Sequence, residues 1–285
     1  MDPNSPALHT WQAALRQVSQ QLAAAGLESG SAEARLLVED AAGVDRPWLS
    51  TTAPTAAQLK RLAQTTAARL ERTPIQHILR KMWFRYLELA AGPGVFSVRP
   101  ETEAMVDAAL AVLPQLGAHP RVIDLCSGSG AIAIAIATEY PAAEVHAAEI
   151  SPDAFAYAQR NNVRYGNRVH LVLDDARTAF TELLGTVDLV ISNPPYVSPT
   201  DDLPPEVLQD PQLALFGGGA DGLELPSQLT ARAAQLLRPG GILFMEHAPQ
   251  QADKIVAIAA RDFEKCETGI DLTGRDRWLR AEKTN

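Results

Sequence analysis

Asp188-Leu-Val-Ile-Ser-Asn-Pro-Pro-Tyr196 is the stretch around which the rest of the sequence is organised. Its apolar run from Leu189 to Ile191 includes two β-branched residues and is typical of a short buried strand. Pro194 and Pro195 end this strand, because neither has an N–H to donate and each fixes its own φ angle. Each also keeps the preceding residue extended. The strand therefore leads into a stiff loop with one amide side chain, free carbonyl groups and one aromatic ring.

The groups on this loop are suited to holding a planar nitrogen. The side-chain oxygen of Asn193 and the carbonyl oxygen of Pro194 can accept the two hydrogens of an –NH2 group. The ring of Tyr196 can stack on the flat group that carries the nitrogen. A proline-terminated strand followed by a polar turn explains the same residues equally well, so the interpretation depends on the rest of the chain.

The composition excludes several classes of protein. The chain has 285 residues and a net charge of −9, which argues against broad binding to nucleic acid or to a membrane surface but allows a local basic patch. Cys126 and Cys266 are the only cysteines, too few for a disulfide framework or a zinc cluster, and we predict no metal site. The N-terminus lacks the apolar core of a signal peptide and no apolar run reaches membrane-spanning length, so we expect a cytoplasmic protein.

The N-terminal region, residues 1–72, is expected to form a small helical bundle. Leu8 to Ala25 carries apolar residues at helical spacing, and Ser31 and Thr55 are candidate N-caps for two further helices. The region holds no cluster of catalytic residue types. Binding or packing, and in particular substrate docking, is therefore its expected role.

A change of composition at Pro74 marks the connection to a second domain. Gln76 to Val98 mixes aromatic and β-branched residues with Gly-Pro-Gly, which indicates a β-hairpin, and we assign residues 73–99 as a hairpin linker. Residues 100–285 form the second domain. It begins with a helix from Pro100 to Leu113, because proline suits the first position of a helix.

The second domain is predicted to be α/β. Five short strands alternate with helices from residue 121 onward, and two weaker strands follow near 264–272 and 276–282. Repeated β-α units imply a doubly wound, mostly parallel sheet, here of seven strands. Ligands bind such sheets beyond the carboxyl ends of the strands. The residues expected at those ends include Gly128, Glu149, Asp175 and Asn193.

A glycine turn and an acidic strand end predict a nucleoside-bearing cofactor. Gly128 and Gly130 let the backbone approach a ligand closely where a helix begins. Glu149 ends the next strand, where a carboxylate accepts hydrogen bonds from two ribose hydroxyls. The same pairing fits a dinucleotide and does not separate the two kinds of cofactor. Asp175 can accept from an adenine amino group, although taken alone this residue is better explained as a solvated loop acid.

Several motifs, in this order along the chain, carry a resemblance to a known family. Asp124-x-x-x-Gly128-x-Gly130, Glu149 and Asn193-Pro194-Pro195-Tyr196 resemble the class I S-adenosylmethionine-dependent methyltransferases. The tetrapeptide is similar to that of enzymes that methylate planar nitrogens of bases or of glutamine. The wider chain resembles the family that methylates N5 of a glutamine in peptide-chain release factors. That match covers residues 74–285 and rests on Pro74-Ile75-Gln76, Arg99-Pro100-Glu101-Thr102-Glu103, Leu213-Ala214-Leu215, Asp221-Gly222-Leu223, Gly240-Gly241 and Glu246-His247.

The resemblance implies a cofactor, a substrate and a set of site residues. The substrate would be a peptide-chain release factor, and the enzyme a monomer without stable binding to nucleic acid or membrane. The catalytic residues would be Asn193, Pro194 and Tyr196. The residues around S-adenosylmethionine would be Asp124, Cys126, Ser127, Gly128, Ser129, Gly130, Glu149, Asp175, Ala176 and Asn193. The residues around the substrate would be Asn193, Pro194, Pro195, Tyr196, Arg99 and Glu101.

The implied mechanism rests on orientation and electrostatics. An amide nitrogen is a poor nucleophile because its lone pair is delocalised. Asn193 and Pro194 would hold its two hydrogens so that the nitrogen points at the methyl group. No general base stands out, and we interpret Glu246-His247 as strand-end packing.

Some positions depart from the family's pattern. Arg80 stands near a usual glycine, Val98 at a usual proline, and Asp210-Pro211 at a usual Glu-Pro pair. Cys126 replaces the first glycine of the methyltransferase turn, and Ala176 stands where some members have an aromatic residue beside the adenine. These changes concern cofactor affinity and hairpin geometry more than the class of reaction.

Three other functions fit part of the sequence. An adenine-N6 nucleic-acid methyltransferase shares the tetrapeptide but must also flip its base, and this acidic chain shows no basic recognition domain. A dinucleotide-dependent dehydrogenase explains Gly128 and Glu149 but gives residues 193–196 no role. A non-catalytic module would use the N-terminal bundle as its working part and would transfer no methyl group.

Overall fold

The structure is a computed structural model that describes residues 10–284. By its contacts the chain divides into two compact units, Met1–Arg80 with Pro205–Gln209, and Lys81–Pro204 with Asp210–Asn285. Within the described residues, no helix has both the length and the apolar character needed to cross a membrane. The expected start of the first helix, Leu8, lies outside the described residues.

The first unit is helical, as the sequence predicts. Side chains cap two of the helices: Thr10 accepts from the N–H of Ala13 at 3.2 Å, and Thr55 and Gln58 form a capping box. The second helix begins at Gly30 without a side-chain cap, so the proposed capping role of Ser31 is wrong. The helices are α1 (Trp11–Ala24), α2 (Gly30–Ala42), α3 (Ala56–Leu70) and α4 (Ile75–Leu79).

Helix α4 corrects the expected start of the hairpin. The sequence predicts a hairpin from Gln76, but the backbone stays helical until Leu79 and ends at Arg80. Arg80 has a φ of 59°, a left-handed conformation that glycine adopts without strain. The glycine that the family usually carries near this position is therefore the residue that this helix end favours.

A charged cluster joins residues 205–209 to the helices of the same unit. Arg69 is 5% exposed and pairs with Glu33 at 2.7 Å and with Glu206 at 3.2 Å. Arg72 pairs with Glu206 as well, at 2.9 Å. A buried guanidinium requires partners, so Glu206 holds its segment to α3.

The second unit begins with an antiparallel hairpin and continues as an α/β domain. The hairpin strands are β1 (Lys81–Phe84) and β2 (Leu87–Ala90). The helices are α5 (Pro100–Val112), α6 (Ala131–Glu139), α7 (Pro152–Arg164), α8 (Glu224–Leu236) and α9 (Ala252–Ala259). The remaining strands are β3 (Arg121–Leu125), β4 (Glu144–Glu149), β5 (Val169–Leu173), β6 (Val187–Ser192), β7 (Leu237–Glu246), β8 (Phe263–Ile270) and β9 (Asp276–Lys283).

The main sheet confirms the predicted fold class. Its seven strands within the described residues follow the order β5-β4-β3-β6-β7-β9-β8. The pairs from β5 to β7 are parallel, and β9 runs antiparallel to both β7 and β8. Strand β3 lies between β4 and β6, so the order along the chain reverses there. This switch point is where doubly wound sheets bind ligands.

Two boundaries differ from the prediction. Helix α8 starts at Glu224, earlier than the expected Ser227. Residues 238–241 lie within β7 rather than in a free turn, because Leu237 already pairs with Val187 before the register shifts. The glycines at this position therefore accommodate an irregularity in the strand rather than a loop.

Helix α6 is buried on all sides. Its residues from Ala131 to Ala137 alternate alanine and isoleucine, and all of them are buried. They pack in one apolar cluster with the hairpin, α5 and the sheet. Small residues allow this close approach, and the turn that precedes α6 is fixed as a result.

Glycines allow residues 216–222 to pack against the segment after β6. Val197 and Phe216 form a parallel bridge. A Cβ on Gly217 would overlap the carbonyl oxygen of Gly222, and one on Gly222 would overlap that of Tyr196. Gly222 also has a φ of 75°. The backbone at these two positions comes too close for a side chain.

We expect Gly222→Ala to destabilise the protein more than Gly274→Ala. Both glycines have positive φ, 75° and 79°, but only Gly222 has backbone in the way of a Cβ. The φ strain is common to both, roughly 1–2 kcal/mol. Overlap at Gly222 adds about 1–3 kcal/mol. Urea unfolding of the two variants measures the difference, and equal losses would show that the close contact relaxes at no cost.

Candidate active site

A cavity of about 380 Å³ lies at the switch point of the sheet in the second unit. It adjoins the carboxyl ends of β3, β4 and β6, whose register places Leu125 beside Ala148 and Ser192. Most of the residues that the sequence assigns to a site line this cavity. They are Cys126, Ser127, Gly128, Ser129, Glu149, Asp175, Ala176, Asn193 and Pro195.

The turn after β3 forms one wall. Cys126 has a φ of 66° and Gly128 of 56°, both left-handed. At Cys126 a glycine would be unstrained, which explains why the methyltransferase turn usually has one there. Burial raises the pKa of the Cys126 thiol, which therefore stays protonated at neutral pH. Ser127 Oγ is buried at this wall and has no hydrogen-bond partner among the described residues.

Glu149 forms the second wall, at the end of β4. Its Oε2 accepts from the N–H of Gly128 at 2.7 Å, and its Oε1 accepts from the N–H of Ser151 at 2.8 Å. Burial raises the pKa of Glu149, while these backbone hydrogen bonds oppose the rise. Each oxygen keeps a second lone pair for a hydroxyl donor. The carboxylate is therefore held rigidly and can still accept from a ligand.

Asp124 and Gly130 stand behind the turn and not among the cavity-lining residues of the described chain. Asp124 is completely buried, and its Oδ2 accepts from the N–H of Ala133 at 3.2 Å, in the first turn of α6. Its Oδ1 has no hydrogen-bond partner in residues 10–284, and burial raises its pKa well above the usual range. A Cβ on Gly130 would lie 3.0 Å from Ile134. Both residues therefore support the turn from behind.

Asp175 and Ala176 line the cavity after β5, beside Arg177. The guanidinium of Arg177 donates to Asp175 at 2.5 Å, and its backbone N–H donates at 2.9 Å. The hydrogen bond from the Arg177 side chain lowers the pKa of Asp175. Asp175 is therefore ionised, and Arg177 already uses part of its hydrogen-bonding capacity.

Of the four site residues predicted on the loop after β6, two line the cavity and two do not. Asn193 and Pro195 line the cavity, whereas Pro194 and Tyr196 are not among the described residues that do so. The hydroxyl of Tyr196 donates to Glu246 Oε1 at 3.0 Å. The interpretation of Glu246 as strand-end packing is thus incomplete, because this carboxylate bonds directly to the loop.

Arg99 and Glu101 also lie away from the cavity lining of the described chain. Arg99 donates to Asp210 Oδ2 at 2.7 Å, and the N–H of Ser97 donates to Asp210 Oδ1 at 3.2 Å. The guanidinium carbon of Arg99 is 4.9 Å from the centre of the Phe96 ring. The buried Asp210 carboxylate therefore ties the segment after the hairpin to the segment that begins at residue 210.

Sequence reasoning missed the apolar side of the cavity. The hairpin region, expected to be only a linker, contributes aromatic and aliphatic side chains, and residues 211–218 contribute others. Nothing in their spacing distinguishes them from core residues, so only the family resemblance pointed to any of them, through Thr102 and through residues 213–215. The missed residues include Phe84, Phe96, Val98, Thr102, Ile132, Leu213, Phe216, Leu225 and Gln228.

Comparisons with known proteins agree on one family. Residues 86–270 match the family model "Methyltransferase small domain", and residues 13–79 match "PrmC N-terminal domain". The release factor glutamine methyltransferase of Bifidobacterium longum is 44% identical over 94% of this chain and 97% of its own length. The enzyme of the same name from Streptomyces coelicolor is 44% identical over 95% of this chain and 97% of its own length.

Similarity to solved structures supports the fold alone. A 16S rRNA methyltransferase of T. thermophilus, solved with AdoMet and guanosine, has a TM-score of 0.53 at 23% identity. The match covers 72% of this chain and 50% of that one. A methyltransferase from Pyrococcus furiosus has a TM-score of 0.53 at 19% identity, over 78% of this chain and all of its own.

We expect Glu149→Ala to weaken binding of S-adenosylmethionine by roughly 1.5–3 kcal/mol, because a charged hydrogen-bond partner is lost. Glu144→Ala is the matched control, since Glu144 is at the opposite end of β4 and pairs with Arg121 at 3.0 Å. Calorimetry of both variants measures the affinity, with NAD as a second ligand. Unchanged affinity in Glu149→Ala would remove this residue from the cofactor site, and binding of NAD would favour the dehydrogenase.

Proposed function

The chain belongs to the release factor glutamine methyltransferase family, and from this premise we propose that it methylates a release-factor glutamine. In this reaction the methyl group of S-adenosylmethionine passes to N5 of the glutamine side chain. The observation that carries the proposal is that Asn193, on the loop after β6, lines the same cavity as Glu149 and the turn after β3. The relatives of the same name, 44% identical over nearly the whole chain, support the choice of substrate.

The cavity is suited to S-adenosylmethionine. Glu149 has lone pairs free for ribose hydroxyls, and the buried Ser127 Oγ has no partner in the described part of the chain. Asp175 and Ala176 line the same cavity, and we assign them to the adenine. When bound, the cofactor supplies an electrophilic methyl group on a sulfonium.

The residues of the loop after β6 act on the glutamine amide. The side-chain oxygen of Asn193, which lines the cavity, accepts one of its hydrogens. Pro194 is not among the described residues that line the cavity, and we assign its carbonyl oxygen to the second hydrogen because it is the next residue of the same loop. Holding both hydrogens aims the nitrogen and makes its lone pair less delocalised. Catalysis then rests on orientation and on fixed dipoles. We assign Tyr196 a second role besides stacking on the amide: its hydrogen bond to Glu246 fixes the position of this loop.

The remaining assignments follow from charge and organisation. The net charge of −9 is unfavourable for stable binding to nucleic acid, so we assign a protein substrate. The family resemblance is the basis on which we assign a monomer that acts in the cytoplasm. The adenine-N6 alternative ranks second, since it would need a basic surface around a flipped base. The helical first unit docks the release factor, because it holds no cluster of catalytic residue types of its own.

We expect Asn193→Ala to lower the rate of methyl transfer by ~10²–10³, the scale for losing one preorganised polar partner. Asn193→Asp keeps the shape and an acceptor, so a purely steric role predicts near-normal activity. Our proposal predicts a defect, because the carboxylate must be desolvated when substrate binds.

The measurement for both Asn193 variants is single-turnover transfer to purified release factor with saturating cofactor. Calorimetry with S-adenosylmethionine checks that the cofactor site is intact. If both variants run within about threefold of wild type, a barrier change under 1 kcal/mol, the loop only terminates a strand.

A chain that starts at Lys81 tests the docking role of the first unit. We expect it to bind cofactor and to methylate a short glutamine peptide from a release factor at the full-length rate. We expect kcat/KM for the intact release factor to fall, because the docking contacts are lost. Full activity on the intact factor would exclude docking by the first unit, and loss of cofactor binding would show that the shortened chain does not fold.

A further inference from the structure

We propose that Glu246 and Thr102 are positioning residues that decide which atom of the Asn193 amide faces the substrate. The two residues form a hydrogen-bonded relay from the end of β7 to the loop after β6. This inference rests on the proposed function, because its effect is on the transfer of a methyl group to an amide nitrogen.

The relay joins three elements of the second unit. Asn193 Nδ2 lies 3.3 Å from Thr102 Oγ1, in the first turn of α5. Thr102 Oγ1 lies 2.6 Å from Glu246 Oε2, at the end of β7. Tyr196 Oη lies 3.0 Å from Glu246 Oε1, so a second hydrogen bond connects Glu246 with the loop after β6. Thr102 is 3% exposed and Glu246 only 1%, so water does not compete for these bonds.

The proton count along the relay fixes its direction. An ionised carboxylate can only accept, so Glu246 takes the single hydroxyl proton of Thr102 and that of Tyr196. Thr102 Oγ1 has no second proton and must accept from its other neighbour. Asn193 therefore turns its –NH2 group towards Thr102. Its Oδ1, on the other arm of the amide, faces away from Thr102.

This direction matters because the two ends of an amide have nearly the same shape and opposite hydrogen-bonding roles. A glutamine nitrogen carries hydrogens and needs an acceptor. An Asn193 turned the other way would present its own –NH2 group and repel the substrate. The geometry thus uses a buried charge to select the acceptor end.

Burial works against the charge of Glu246, and its hydrogen-bond partners favour it. Burial raises the pKa of Glu246, while the hydroxyls of Thr102 and Tyr196 and the charge of Arg277 favour the ionised form. Glu101 is the acidic neighbour that opposes ionisation. Hydrogen bonds to an ionised acceptor are the stronger kind, and 2.6 Å between the Thr102 and Glu246 oxygens fits such a bond.

The test compares substitutions that keep or remove the relay in the full-length enzyme. Thr102→Val removes the hydroxyl at nearly constant shape, Thr102→Ser keeps it, and Glu246→Gln removes the charge. Thr230→Val is the matched control, since Thr230 is 1% exposed and its hydroxyl donates to Pro226 O within α8, at 2.8 Å. Single-turnover transfer to a release factor is measured over a range of substrate concentrations, with calorimetry for S-adenosylmethionine.

We expect Thr102→Val and Glu246→Gln to lower the maximal rate by about 10–100-fold, below the full effect of losing a preorganised partner. Cofactor affinity should change less than about twofold, which is under 0.5 kcal/mol, because the groups assigned to the adenosine lie at or after the ends of β3, β4 and β5 and do not belong to the relay. Thr102→Ser should restore the rate to within about threefold of wild type, and Thr230→Val should leave it unchanged.

The outcomes separate this inference from the proposed function. If wild type transfers methyl groups to the glutamine but Thr102→Val matches it in maximal rate, the relay has no positioning role and the inference is overturned alone. If Thr102→Ser is as slow as Thr102→Val, the hydroxyl is not what matters, with the same consequence. If wild type methylates no release factor, the proposed function fails and takes the inference with it. If Glu246→Gln does not fold, the comparison of Thr102→Val with Thr102→Ser still tests the inference.

Discussion

Parallel pairing of β3 with both β4 and β6 is the constraint on which the site depends. Because Leu125 is beside Ala148 on one side and Ser192 on the other, three strands end at the same level. The turn after β3, the Glu149 carboxylate and the Asn193 amide therefore lie close together at one edge of the sheet. Side-chain positions in a ladder are set to within one residue, and a slip by one position would turn each strand's side chains to the opposite face.

The apolar side of the cavity is held in place by a different set of interactions. The segment after the hairpin and residues 210–218 carry its apolar side, and the buried Asp210 carboxylate bonds to both Arg99 and Ser97 N–H. Gly217 and Gly222 then let the second segment lie directly on the backbone after β6. A buried carboxylate costs desolvation, so its ion pair contributes little net stability, but the pair specifies one arrangement of two loops.

The features that follow from local chemistry can be predicted from the sequence. Alternating strands and helices, the proline stop after Ile191 and the position of Glu149 at a strand end all depend on neighbouring residues. The family resemblance supplied the cofactor and the substrate. The hairpin boundary was wrong because the short helix α4 is too brief to show a period.

Contacts between distant residues could not be predicted. Thr102 and Glu246 are separated by 144 positions, and their bond requires α5 to lie over the end of β7. The same limit applies to Tyr196, whose sequence neighbours suggest stacking while its hydroxyl bonds to Glu246 50 positions away. The left-handed conformations of Arg80 and Cys126 are a third case, because side chains rarely adopt them and the surrounding packing imposes them.

The burial of α6 from Ala131 to Ala137 has a consequence for how the enzyme folds. The Ala-Ile stretch of α6 has no polar face and gains nothing from water on any side, and a short helix is only marginally stable by itself. Its formation must wait until β3, the hairpin and α5 have assembled around it, which are contacts between remote parts of the chain. The turn from Cys126 to Gly130 leads directly into α6, so the cofactor wall is completed late. Until then an Ala-Ile segment remains uncovered, and the nascent protein depends on prompt completion of its sheet to avoid association with other chains.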